Sequence, residues 1–256
     1  EMRLVTGVQT CALPISAAVD NDYIIKNIMV NVPAPKRSKK DIKVLDEIQL
    51  KSLFDALKGS SIYETAFISA NTGMRLSEVL GITWDKVDFK NNCIYVTNQL
   101  QKINDTFSLA ALKTKSSKRK IILSKSLFKF LKEIKQKQFE HKSMLGDIYC
   151  SKLDLVITQN NGLPYDPGYM SRNFNRVTRE YNYKDEKSLV DYLNIPTLSF
   201  HDLRHTFATL MLKANVNPKV VSDILGHSTV AMTLDTYSHL LPSMQEEAIL
   251  KFENLF

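Results

Sequence analysis

At 256 residues, 44% of them hydrophobic, the chain is long enough to bury a core as one large domain or two modest ones, which excludes a disordered tract. Its 34 Lys and Arg against 27 Asp and Glu leave a net charge of +7, a surplus that suits a polyanionic partner without identifying one. Cys11, Cys93 and Cys150 are far apart, with no CxxC or Cys/His cluster, which argues against a disulfide framework or a zinc site. No apolar run approaches the roughly 18 residues of a membrane span, so a soluble protein of the reducing cytoplasm is expected.

In chain order, Val5–Ser16, VTGVQTCALPIS, reads as the translation of a common sequencing-adapter end. Residues 1–16 are therefore expected to be non-native, and the natural coding sequence to continue upstream. Residues 17–32 have apolar positions at near-helical spacing and read as the last helix of a domain whose beginning is missing. Residues 33–42 carry Pro33, Pro35 and a run of Lys and Arg, a basic linker. It is either a solvated connector or a strand laid along a phosphate backbone.

A domain from 43 to 256 follows. Asp46 is a good N-cap, with Gln49 three residues on and Leu50, Leu53, Phe54 and Leu57 on one face, which predicts a helix stopped by Gly59. Further helices are predicted from Tyr63 to Asn71, ending at Thr72-Gly73, and from Leu76 to Leu80, with Arg75 between them. Strands at Cys93–Thr97, Thr106–Leu112 and Lys120–Leu123 predict one small antiparallel sheet with a strongly basic turn between the last two. Helices are expected over Lys125–His141 and Pro167–Tyr181, with a turn at Asn160-Asn161-Gly162. From Ser199 the chain reads as helical nearly to its end, broken at Pro218, Gly226 and Pro242. Trp84 and Tyr95 read as core aromatics.

The chemistry-bearing residues lie mainly in the last third. Ser199 caps a helix on which His201 and Arg204 stand three apart, so an imidazole and a guanidinium share one face. Such a pair suits a phosphate, since Arg offers a planar fork of donors and His exchanges protons near neutral pH. Alone it reads more readily as a surface pair. Further on, Leu225-Gly226-His227 precedes Tyr237 by ten positions. Together with Thr72-Gly73-Met74-Arg75 and Glu78, the set TGMRxxE, HDLRHTFAT, LGH and DTYSH resembles the tyrosine recombinase family, most closely integrases of phages and conjugative transposons.

The resemblance implies a mainly helical α+β fold with a small antiparallel sheet, preceded by the remnant of a helical DNA-binding domain. It implies Tyr237 as nucleophile, forming a 3′-phosphotyrosyl link to DNA, with Arg75 and Arg204 holding the non-bridging oxygens. His201 would assist proton transfer from the tyrosine and His227 would donate to the phosphate. Glu78, three after Arg75, would orient its guanidinium, while His205 reads as structural. In the basic turn, Leu112-Lys113-Thr114-Lys115-Ser116-Ser117-Lys118-Arg119 resembles the family's PKTxSSxR, with leucine in place of proline, and points to Lys113 as general acid. Lys115 is the competitor, one strand-register slip away. Lys115, Lys118, Arg119 and Lys120 would contact DNA phosphates generically.

The implied partners are double-stranded DNA carrying specific recombination sites, further copies in a homotetramer on paired sites, and an accessory directionality factor. No metal or cofactor is implied, because two arginines supply the charge and the phosphotyrosine keeps the bond energy. The apolar stripe of Ser243–Phe256 would dock on its own core or on a neighbouring subunit. Two other readings stand beside integration or excision of a mobile element: a sister activity such as chromosome-dimer resolution, and a DNA-binding module without catalysis.

Overall fold

The structure, a computed structural model, describes residues 15, 17–27, 42–112, 114–180, 198–237, 249 and 252–253. The chain divides into two compact units, Glu1–Asp41 and Ile42–Phe256. In the first, residues 17–20 are helical and 21–26 form turns and bends. The helix expected to run from 17 to 32 therefore stops early over its described part. Asn21 turns its side-chain amide back onto the Ala17 carbonyl at 2.7 Å, and Asp22 takes a left-handed φ of 59° that no helix continues through. Residues 28–41, which include nearly all of the predicted linker, and the adapter-like segment apart from Ile15 lie outside the described residues.

The second unit is a mainly helical α+β domain. Helix α1, Glu47–Leu57, begins with the predicted capping box: Gln49 N donates to the Asp46 carboxylate at 2.8 Å, and Asp46 N donates to the Gln49 side chain at 3.1 Å. Helix α2, Tyr63–Thr72, ends on Gly73 at φ 65°, and the short helix α3, Leu76–Leu80, follows with Arg75 as its N-cap. Gly73 cannot be replaced freely. A Cβ there would lie 2.7 Å from both Leu225 Cδ2 and Phe207 Cδ1.

The strands depart from expectation. Strands β1 (Val87–Asp88), β2 (Cys93–Val96) and β5 (Arg119–Ile122) form one antiparallel sheet in the order β1-β2-β5. Strands β3 (Asn98–Ile103) and β4 (Thr106–Ala111) form a separate hairpin. The predicted neighbours β4 and β5 are not paired. Asn104 and Asp105, at φ 46° and 62°, make the two-residue turn that closes β4 onto β3, and β5 pairs with β2 instead. Tyr95 is 40% exposed rather than in the core, because Ile94 and Val96 face inward and strand alternation turns the residue between them outward.

Helix α4, Lys125–Leu145, runs one turn past the predicted end and buries Leu127, Leu131 and Ile134. Helix α5, Pro167–Glu180, contributes Met170 and Phe174 to the same core. Trp84 is half-buried at its margin, stacked on Phe89 and donating its indole N–H to Gln138 at 2.8 Å. The last three described helices are α6 (Phe200–Lys213), α7 (Pro218–Leu225) and α8 (Val230–Tyr237). They share a smaller cluster of Ala208, Leu212, Val221, Leu225 and Tyr237. Burying each large side chain in these clusters contributes about 1.5–3 kcal/mol. Helix α6 packs on α2, which brings the Gly73–Arg75 turn against Arg204. Among the described residues no helix is long and apolar enough to cross a membrane.

Candidate active site

Two local devices put the arginines together. The left-handed Gly73 ends α2 and exposes its carbonyl, to which Arg204 Nη1 donates at 2.7 Å. Ser199 caps α6 with Asp202 at the third position, its backbone N–H donating to the Asp202 carboxylate at 2.6 Å, so His201, Arg204 and His205 leave the first turns of a fixed helix. Arg204 is 2% exposed, and its Nη2 has no hydrogen-bond partner among the described residues. A buried unpaired donor costs about 1–3 kcal/mol, so this nitrogen calls for an acceptor. Burial, followed by the Arg75 charge, pulls the Arg204 pKa down to about 9, which still leaves it cationic at neutral pH.

Glu78 organises the opposite wall. It is 1% exposed, accepts from Arg75 Nη1 at 2.7 Å and from Arg119 Nη2 at 2.8 Å, and also receives the Arg75 backbone N–H at 3.0 Å. Burial alone would raise its pKa, but Arg119 and Arg75 outweigh it and hold the carboxyl below its usual range. Arg119 departs from its expected role. Its side chain is only 5% exposed, and besides Glu78 it donates through Nε to the Ile224 carbonyl and through Nη1 to the Ser117 carbonyl at 3.0 Å. It thus ties the basic loop, the end of α7 and Glu78 together instead of facing solvent. Lys118 and Lys120, on either side of it, are exposed as a phosphate contact requires. Lys113 and the side chain of Lys115 lie outside the described residues.

Gly226 ends α7 at φ 71°, with Arg119 and the Ser116 carbonyl 3.2 Å from where a Cβ would be. The chain turns there into His227, whose Nδ1 is 2.8 Å from Thr233 Oγ1. Desolvation, then Arg204 and Arg75, push the His227 pKa down to about 4. It is therefore neutral at neutral pH, with Nε2 left for a further partner. His201 is exposed. Partial desolvation, then His205, Arg204 and Arg75, also push its pKa down to about 4, and at so open a ring the neighbouring charges give the surer reason for the direction.

Tyr237 ends α8, 2% exposed, with its pKa pushed up to about 12 by burial and drawn back only partly by Arg204. Its hydroxyl lies 2.9 Å from Nδ1 of His205, the residue expected to be structural. No local spacing signals this contact, since 32 residues separate the partners. The one available sign was that His205 follows His201 by a helical turn, on the face already assigned to chemistry. Arg75, Arg204, His227, Glu78 and Tyr237 thus fall together, with His201 beside them and His205 and Arg119 added. A cavity of about 560 Å³ lined by Ser60, Ser61, Glu64, Lys137 and Tyr165, among others, lies elsewhere and includes none of these site residues.

The arrangement defines a class: a cluster of arginines and histidines beside one buried tyrosine, on a mainly helical α+β domain. The chain belongs to the phage integrase family, whose pattern matches residues 43–244. It is 26% identical to a XerC-like tyrosine recombinase of Caldanaerobacter subterraneus subsp. tengcongensis, over 93% of this chain and 62% of that protein. It is 27% identical to the transposase of transposon Tn916 from Enterococcus faecalis, over 85% of this chain and 51% of that protein. The chain thus spans about half to three fifths of the length of these relatives. Among solved structures it resembles the Tn1549 transposon integrase in complex with transposon right end DNA, with a TM-score of 0.67 and 27% identity, covering 87% of this chain and 70% of that one.

Proposed function

We propose that the chain is the catalytic part of a site-specific DNA recombinase that cleaves and rejoins DNA through a 3′-phosphotyrosyl intermediate, serving integration or excision of a mobile element. The observation that carries this is the buried, unpartnered Arg204 Nη2, on the residue next to His205, whose ring lies 2.9 Å from the Tyr237 hydroxyl. A phosphodiester oxygen is the acceptor such a donor lacks, and it would bring phosphorus toward the tyrosine. Family membership and the naming of relatives for recombination and transposition support the same reading.

In this mechanism the Tyr237 oxygen attacks phosphorus in line with the departing 5′-oxygen. Negative charge accumulating on the non-bridging oxygens falls between Arg75 and Arg204, with neutral His227 donating to one of them. His201, three residues before Arg204 on α6, shares that phosphate. Lys113 protonates the departing oxygen, with Lys115 as the alternative donor. Exposed Lys118 and Lys120 hold the DNA backbone without reading bases. The partner is duplex DNA with paired recombination sites, on which four copies assemble, together with a directionality factor that biases the outcome. The phosphotyrosyl bond conserves the energy of the cleaved phosphodiester, so rejoining requires only the reverse attack by a 5′-hydroxyl.

Incubation with nicked suicide DNA tests the reading. A covalent protein–DNA adduct is expected that survives denaturation and disappears in Tyr237→Phe while DNA affinity is retained. Binding without any adduct from the unaltered chain would make the protein a DNA-binding module, and an adduct from Tyr237→Phe would displace the nucleophile to another residue.

A further inference from the structure

The two histidines of α6 face different partners. His201 and His205 stand one turn apart with ring centroids 4.8 Å apart and nearly perpendicular. After desolvation and His205, the charges acting on His201 are those of Arg204 and Arg75, the two cations of the phosphate site, opposed by Asp202. His205 instead meets Tyr237, with the rings 5.9 Å apart and Nδ1 2.9 Å from the hydroxyl. Tyr237 is almost wholly buried, so the proton it must lose has a short path to that nitrogen and little access to bulk water.

We infer that His205 is the catalytic base that accepts the Tyr237 proton, leaving His201 to the phosphate. The inference rests on the reading of Tyr237 as nucleophile and assigns the proton transfer within it. With the ring proton on Nε2, the Tyr237 hydroxyl donates to Nδ1. As the phenol oxygen forms its bond to phosphorus, the O–H bond breaks and its proton passes to Nδ1, giving an imidazolium. The P–O5′ bond breaks, and the departing oxygen takes its proton from the Lys113 ammonium. On rejoining, the imidazolium returns the proton to the tyrosine as it leaves phosphorus. Burial is the main effect holding His205 below the usual histidine pKa, with Arg204 adding to it against the opposing pull of Asp202. The ring is thus unprotonated and ready to accept at neutral pH. A phenol whose pKa is pushed up to about 12 needs a base in contact, because almost none of it ionises unaided.

The test is single-turnover adduct formation on nicked suicide DNA with the whole chain. His205→Asn keeps an acceptor near the position of Nδ1 but cannot take a proton. Its expected rate is lower by about 10²-fold with DNA binding unchanged. Two replacements then separate a base from a merely structural residue. Fluorotyrosine at position 237, a more acidic phenol, should restore most of the rate lost in His205→Asn. A 5′-bridging phosphorothiolate, whose sulfur leaves without a proton, should restore Lys113→Ala but not His205→Asn.

Wild-type rates in His205→Asn, or a loss that fluorotyrosine leaves untouched, would overturn the inference. So would rescue of His201→Gln by fluorotyrosine with none for His205→Asn. Should His205→Asn fail to bind DNA, the unaltered chain decides. There fluorotyrosine should have little effect because the base is present, and a large acceleration would mean that no base serves the phenol. Only an adduct from Tyr237→Phe bears on the nucleophile itself, so the two readings fail separately.

Discussion

The two walls of the site differ in how completely their polar groups are used. On the Glu78 wall both carboxylate oxygens and all three kinds of Arg119 nitrogen have partners, in a network that spans 146 residue positions from Glu78 to Ile224, while Arg75 gives Nη1 to Glu78 and keeps the rest of a half-exposed guanidinium for the phosphate. On the Tyr237 wall, Arg204 spends one amino group on the Gly73 carbonyl and leaves the other without a partner. Saturated polar groups fix shape, because any displacement strands a buried charge. Unsaturated ones mark where a ligand atom completes the structure. The same residue type, arginine, therefore serves as frame on one wall and as binding group on the other.

The largest effect is expected where that distinction is sharpest. Arg204→Ala should slow single-turnover cleavage by about 10³-fold or more, as loss of a charge-stabilising arginine does at other phosphoryl centres. Rapid-quench adduct formation measures it, and a rate equal to the unaltered chain would remove Arg204 from the phosphate. A smaller loss is expected on the frame. Arg119→Lys keeps the charge near Glu78 but cannot reach the Ile224 and Ser117 carbonyls at once, since lysine lacks the guanidinium fork. A displacement of about 1 Å in the catalytic groups costs about 10²-fold in rate, so a fall of that order is expected with DNA affinity preserved. An Arg119→Lys chain that cleaves normally would show that the frame tolerates a point charge.

Glu78→Gln moves the comparison from rate to stability and carries a definite pH dependence. The carboxyl's folded pKa lies below its usual 4.5, so the carboxylate contributes stability that is fully present above that value and lost as pH falls through the folded pKa. The variant should therefore be less stable than the parent at neutral pH, and the gap should close as the medium is acidified below 4.5. Urea midpoints across that range measure it. A gap independent of pH would mean that the loss comes from packing and not from the ionised pair.

What the sequence made legible follows the range of the interactions. Asp46 and Ser199 announce their helices because a cap is settled within three residues, and the shared face of His201 and Arg204 follows from the second of them, whereas Arg75 and Glu78 come from the family motif TGMRxxE. The family motifs bring in His227 and Tyr237 from positions no local pattern would connect. The hairpin β3–β4 was hidden because Asn98–Ile103, NQLQKI, buries only Leu100 and has little of the β-branched and aromatic content that marks a strand. His205 was hidden for a different reason. Its decisive contact depends on how α8 packs across α6, and a histidine on a half-buried face looks the same in sequence whether its neighbour is a tyrosine hydroxyl or a backbone carbonyl.

Arg119 shows the limit most clearly, and it gives the mildest prediction. Lys118, Arg119 and Lys120 are consecutive cations that composition treats alike. Pairing with β2 fixes the register at Val96↔Arg119 and Tyr95↔Lys120, so Arg119 shares the inward face of Val96 while Lys120 is exposed like Tyr95. Each exposed lysine that neutralises a phosphate should contribute about 0.9 to the slope of log affinity against log salt. Lys118→Ala and Lys120→Ala should each reduce the slope by that amount, measured by fluorescence anisotropy on duplex DNA across a salt series. Arg119→Gln should leave it unchanged, because a guanidinium held by Glu78 and two carbonyls has released no counterion from DNA. A reduced slope in Arg119→Gln would mean that DNA draws this arginine out of the frame, and that the two walls exchange partners when substrate binds.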